Sequence, residues 1–187
     1  MGVSELVRLE LERHDWAALR CGCGGSAEHV PLMFEAILMA QTPHEMIGYT
    51  LDDHLEISTN LFECAVPAVS VILAALAGDH SPLARSHLII MLSWLVAGDA
   101  HHTEVARGAA DLGEQCRDRA REGLWIILKT GVAGTADDAD TAADICEYID
   151  LDEQRLTFYQ ARLHERVAKK TKRRWSRPSP GGAASVT

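Results

Sequence analysis

A chain of 187 residues that is 47% apolar can bury a sizeable core in one domain, and no stretch of about twenty uninterrupted apolar residues is present to cross a bilayer. Five cysteines at scattered positions argue against a disulfide framework, and the charged opening MGVSELVRLELERHD is unlike a secretory leader, so a cytosolic protein is expected. The net charge of −9 is divided: residues 1–161 hold ten Lys and Arg against 26 Asp and Glu, a balance of −16, whereas residues 162–187 hold eight against one, a balance of +7. Arginine outnumbers lysine fourteen to four, which points to a GC-rich bacterial source.

In chain order, Ser4 caps an opening helix, and Asp15 caps a short one ending near Arg20. Cys21-Gly-Cys-Gly-Gly breaks the pattern. Ser26 then caps a helix to Ala40, with Val30, Met33, Phe34, Ile37 and Leu38 on its apolar face. Thr42-Pro43-His44-Glu45 reads as a helix start, with cap, first-turn proline and returning acid. Leu51-Asp52-Asp53-His54 is a turn or a further helix start. Residues 61–77 and 83–97 are strongly apolar and flank the break Gly78-Asp79-His80-Ser81-Pro82, so they predict a buried helical hairpin.

Gly98-Asp99 stops the hairpin. A helix from Asp111 to Thr130 carries Leu112, Cys116, Ala120, Leu124, Ile127 and Leu128 on one face. Thr135 caps a helix to Ile149, and Asp150 or Asp152 caps a last one with Leu156, Tyr159, Leu163 and Val167 as its stripe. No segment alternates with period two, so no strands are predicted. The expected fold is all-α, built of antiparallel helical hairpins as a HEAT-like stack or an irregular bundle. Residues 1–174 form the single domain, and residues 175–187, rich in Pro, Gly and Ser, form a disordered tail.

The segment from Pro67 to Asp99, PAVSVILAALAGDHSPLARSHLIIMLSWLVAGD, resembles the helix pairs of HEAT and armadillo repeat proteins. In those families a proline stands early in one helix and a short Gly/Asp turn joins the pair. The resemblance extends over residues 26–150. It implies a concave surface that binds protein or, less often, nucleic acid.

Four places carry candidate chemistry. Cys21 and Cys23 with His29 offer two thiolates and an imidazole, three ligands of a zinc site, but no fourth ligand stands nearby in sequence. The competing reading is a glycine-rich turn walled by small residues, so no metal or cofactor is favoured. Cys23, ahead of a predicted helix start, is also a candidate reactive thiol. Cys64, Cys116 and Cys146 fall on apolar faces and read as core. Asp52, Asp53, His54 and Glu56 lie at one predicted helix end, and His101, His102 and Glu104 at another. If packing joins these ends, they form a partner-binding surface or a metal-binding acid and imidazole cluster. Lys169, Lys170, Lys172, Arg173, Arg174 and Trp175 form a basic segment suited to nucleic acid or an acidic surface. No nucleophile elbow, phosphate loop or dinucleotide fingerprint is present in the sequence.

The leading expectation is a non-catalytic helical module that binds a basic macromolecular partner through its acidic surface, as an immunity or adaptor protein does. The alternatives are a metal-dependent enzyme using the His and acid residues, and a nucleic-acid-binding protein using the basic segment.

Overall fold

The computed structural model describes residues 2–175, with side chains described through residue 169. The chain is mostly helical, as expected. In order, the helices are α1 (Glu5–Glu12), α2 (Val30–Met39), α3 (Ala65–Ala77), α4 (Pro82–Ala97), α5 (His102–Val105), α6 (Leu112–Glu122), α7 (Leu124–Ala133), α8 (Ala136–Ile149) and α9 (Glu153–Trp175). Single turns of 3-10 helix cover Trp16–Ala18 and Pro43–Met46. None of the described helices is long and apolar enough to cross a membrane. The expected tail lies outside the described residues apart from the backbone of Trp175, as do the side chains of Lys170, Lys172, Arg173 and Arg174.

The predicted hairpin is the core. In α3, Ala68, Val69, Val71, Ile72 and Ala75 are wholly buried, and the helix is packed by α1, α4, α6 and α7. Burial on every side explains why so few of its positions are polar. α4 packs on α3, α6 and α8, with Leu88, Ile89, Leu92 and Leu95 inaccessible to solvent. Its start is fixed by Ser81, whose hydroxyl accepts from the Ala84 amide at 3.1 Å and donates to the Ala40 carbonyl at 3.1 Å. One side chain therefore caps α4 and ties it to the end of α2. α8 lies between α4, α7 and α9. Thr135 caps it in a reciprocal box with Asp138. Asp152 begins α9 by accepting from the amides of Gln154 and Arg155.

The structure corrects the sequence reading in four places. The helix expected from Asp111 to Thr130 is two, broken at Gly123, because the helix must pass against α3 there: a Cβ on Gly123 would lie 2.3 Å from Leu73 Cδ2. Ser26 does not cap α2. It pairs with Arg20 across the Cys-Gly loop, and α2 begins after His29. Asp15 makes no side-chain cap, and only one 3-10 turn follows it. Three two-residue strands occur where none was predicted: β1 (Glu56–Ile57), β2 (Asn60–Leu61) and β3 (Asp99–Ala100). β2 pairs antiparallel with β1 and parallel with β3. Two-residue strands are too short for alternation to register.

Residues 16–29, 51–64 and 99–111, which include this small sheet, form a loop-rich end where many backbone polar groups are satisfied by loop-to-loop hydrogen bonds.

Candidate metal centre

The loop-rich end is held by a network built on close backbone approach. Residues 20–26 form a tight knuckle: Arg20 bridges Ser26, the Cys21 amide donates to the Gly25 carbonyl at 3.0 Å, and the Gly24 amide donates to the Cys21 carbonyl at 3.0 Å. At the tip of the knuckle, Gly22 donates its N–H to the His54 carbonyl at 2.8 Å. A Cβ on Gly22 would meet the Asp53 carbonyl oxygen at 2.6 Å, so glycine is required for this approach. The 51–54 turn turns on Asp53, which adopts φ of 65°. Below it, the Cys64 amide donates to the Arg20 carbonyl at 3.2 Å.

These contacts bring four ligand atoms together. The Sγ atoms of Cys21 and Cys23 and one ring nitrogen each of His29 and His54 all lie within 4.8 Å of one another. His29 Nε2 is 2.8 Å from His54 Nδ1, and Cys21 Sγ is 3.3 Å from His54 Nδ1 and 3.6 Å from His29 Nε2. Ligand atoms around a tetrahedral zinc ion stand about 3.3–3.8 Å apart, given Zn–S of about 2.3 Å and Zn–N of about 2.0–2.1 Å. The separations among Cys21, His29 and His54 approach that polyhedron, with the imidazole pair needing to open by roughly half an ångström, and Cys23 lies within 4.8 Å of the other three.

The sulfurs are prepared for this role. Cys21 Sγ accepts from the Cys64 thiol, from the backbone amide and thiol of Cys23, and from His54, which together pull its pKa down to about 4. The Gly25 amide points at the Cys23 sulfur. Cys23 and Cys64 are pushed upward because each hydrogen-bonds to the Cys21 thiolate, and burial adds to the rise at Cys64. The single S–H proton of Cys64 also has the His54 carbonyl within reach, at 3.4 Å from Sγ. Cys64 thus contacts two members of the cluster as a neighbour. Cys21 is buried, the two imidazoles are half-buried, and Cys23 is the exposed member.

An ion-pair network fixes the knuckle from the other side. Glu104 on α5 is 1% exposed and receives Arg20 through Nε, at 2.9 and 3.0 Å, and Nη2, at 2.6 Å. Arg20 also reaches Glu63 at 3.3 Å, and Arg107 reaches Glu104 at 3.5 Å. A buried carboxylate needs such partners, and here they anchor the residue immediately before Cys21.

The sequence-predicted residues are placed as follows. Cys21, Cys23 and His29 converge, and the missing fourth ligand is His54, from a segment 25 residues beyond His29. Sequence spacing could not find it, because the loop closure at Gly22 brings it in. The expected acid and imidazole cluster does not assemble as one set. His54 faces the cysteines, and the Glu56 carboxylate accepts from the Thr59 amide at 2.5 Å. Asp53 is exposed, and Asp52 lies toward His87. His101 accepts from the Thr103 amide and stacks on Phe62 with ring centroids 4.9 Å apart, and His102 tilts over His101. Glu104 is committed to Arg20 and Arg107. Cys23 precedes a loop, not a helix N-terminus, so the dipole expected to activate it is absent there. Lys169 is exposed on α9. Among the described residues, the Cys21, Cys23, His29 and His54 group is the one convergence of metal-type ligands.

No family model matches the chain, and no curated protein or solved structure matches it.

Proposed function

We propose that this protein is a non-catalytic helical binding module whose loop-rich end is stapled by a zinc ion on Cys21, Cys23, His29 and His54. The convergence of those four ligand atoms within 4.8 Å carries the reading. Two sulfur and two imidazole donors suit Zn2+ over the harder divalent ions, which take oxygen. Four protein ligands fill a tetrahedron and leave no position for water or substrate, which is the pattern of a structural site. The ion would join the 20–26 knuckle, the start of α2 and the 51–54 turn, whose apolar contribution to the core is limited to a few residues such as Cys21, Val30 and Leu51.

The binding role is supported by the charge of −16 on residues 1–161, which favours a basic macromolecular partner in the manner of an immunity or adaptor protein. Glu104 and Glu56, the buried acids of the loop-rich end, are consumed by internal contacts, so the exposed carboxylates elsewhere on the body supply the attraction.

The test is metal content. Purified full-length protein from zinc-supplemented medium is expected to carry close to one zinc per chain by plasma mass spectrometry. Cys21→Ser and His54→Ala are expected to lose it, and His102→Ala to keep it. Wild-type protein without near-stoichiometric zinc would overturn the proposal, as would zinc retained by both ligand variants.

A further inference from the structure

On α7 and α9, exposed aromatic rings stand beside cations on a body that is otherwise acidic. Trp125 on α7 is 62% exposed and Phe158 on α9 is 55% exposed. They are joined through Tyr159, whose ring lies edge-on to Trp125 at 6.2 Å and to Phe158 at 5.3 Å. Each exposed ring has an arginine over it: Arg155 lies 5.8 Å from the Trp125 centroid, and Arg162 lies 5.4 Å from that of Phe158.

The pattern comes from helix geometry. Positions 155, 159, 162, 166 and 169 fall at spacings of four, seven, eleven and fourteen and so line one stripe of α9. Four of those five are cations, and Phe158 stands at the stripe's edge. The stripe is also fixed in place. Arg155 is held by Asp150 through contacts of 2.5 to 3.1 Å, and Arg166 Nη2 donates to the Gly134 carbonyl at the end of α7 at 2.8 Å. The main acid opposing the stripe from its own helix is Glu165, exposed and bonded to Arg162 at 3.2 Å. Asp150 is neutralised by Arg155.

We infer that the α7/α9 face binds single-stranded nucleic acid. Exposed, pre-oriented aromatic rings with arginines stacked on them suit unpaired bases, and Arg162 and Lys169, the exposed cations of the stripe, suit the phosphates that follow. The stripe's Arg162, Arg166 and Lys169 belong to the +7 stretch of sequence, which also holds Lys170, Lys172, Arg173, Arg174 and Arg177. The −16 body repels a polyanion elsewhere and so confines it to this face. The inference is independent of the metal centre.

The experiment is fluorescence anisotropy of a labelled fifteen-nucleotide oligothymidylate with the full-length protein, across a salt series. Binding is expected to weaken steeply with salt and to be tighter than to a duplex of equal length. Trp125→Ala and Phe158→Ala are each expected to weaken it about tenfold, the scale of one lost stacking contact. Trp94→Ala, an exposed tryptophan on α4, is expected to leave it unchanged. Absence of salt-sensitive binding would overturn the inference. So would affinity unchanged in both aromatic variants, which would assign any binding to charge alone. Sedimentation of the same variants tests the competing occupant: a wild-type dimer that dissociates on Trp125→Ala, with no oligonucleotide bound, would make the face a contact between two copies.

Discussion

Gly22 has no side chain because the Asp53 carbonyl fills the space that one would need. That single steric fact brings the knuckle onto the 51–54 turn and His54 onto Cys21. Gly22→Ala must push the two segments apart, and it is expected to weaken zinc affinity about tenfold, the usual scale for a positioning residue beside a ligand. Competition with a chromogenic chelator reads this directly, and unchanged affinity would show that the approach is not needed. In the sequence, the glycines around Cys21 and Cys23 were visible as a turn, and His29 as a ligand type in reach. His54 was visible only as part of an acidic loop, because its partners are set by a closure that leaves no local pattern. The roles of Glu104 and Arg20 were hidden for the same reason.

A second residue-scale consequence concerns His87 on α4. Burial depresses its pKa, opposed by Asp52, and its Nε2 has no hydrogen-bond partner. The folded state therefore keeps it neutral, while the unfolded chain takes up a proton near the ordinary value of about 6.5. Stability contributed this way is intact above that pH and falls as pH drops below it, by up to about 1.4 kcal/mol per unit. Urea unfolding from pH 8 to pH 5 is expected to show a gap between wild type and His87→Leu that widens in favour of the variant toward acid. A constant gap would contradict the burial account. Subtracting the two curves cancels the pH dependence of the metal ligands, which both proteins share.

Among the elements, α3, α4 and α8 were the most legible. Their apolar runs, the Ser81-Pro82 start and the Thr135 cap are local signals, and the structure uses each one. The single long helix expected after Asp111 is two in the structure: α6 and α7 keep helical periodicity across Gly123, where the backbone approaches Leu73. The apolar run from Leu61 is similarly shared: the Leu61 carbonyl accepts from the His101 amide at 2.9 Å beside the sheet, before α3 begins at Ala65.

Asp138 shows how one element is tied to another. Its carboxylate accepts from the Ser86 hydroxyl at 2.6 Å, the Thr135 amide at 2.7 Å and Arg85 Nε at 3.3 Å, so it closes the α8 cap and clamps α8 to α4. Burial acts to raise its pKa, but those hydrogen bonds outweigh it and hold the pKa below the usual carboxylate range. Its contribution is present above about pH 4 and is lost as pH falls through the depressed folded value. Asp138→Ala removes the cap and leaves buried donors unpaired, for an expected loss of about 2–4 kcal/mol in denaturant unfolding at pH 7. A loss below about 0.5 kcal/mol would mean that water replaces the carboxylate.

At the scale of the whole molecule, the chain has two kinds of order. A continuous apolar core runs from Val7 and Ile37 to Cys146 and Leu163, and it reaches into the loop-rich end through Cys21, Ala27, Leu51, Leu55 and Phe62. The loop-rich end has short elements, a buried ion pair and four convergent metal ligands. Removing the ion should therefore loosen that end first. With a strong chelator, hydrogen exchange is expected to accelerate at residues 20–29 and 51–57 while α3 and α4 stay protected. Uniform acceleration would instead show that the ion supports the entire fold. Apolar periodicity and capping signals disclose the helical class, and the order of charges its split, but neither shows this division, since loop segments gain their order from contacts remote in sequence.

X-ray absorption spectroscopy at the zinc edge on the purified full-length protein tests the central claim most directly. The account predicts two sulfur scatterers at about 2.3 Å and two imidazole nitrogens at about 2.0–2.1 Å, with the zinc-edge signal lost in His54→Ala. A first shell of oxygen and nitrogen alone, or a wild-type spectrum unchanged by removal of His54, would contradict it.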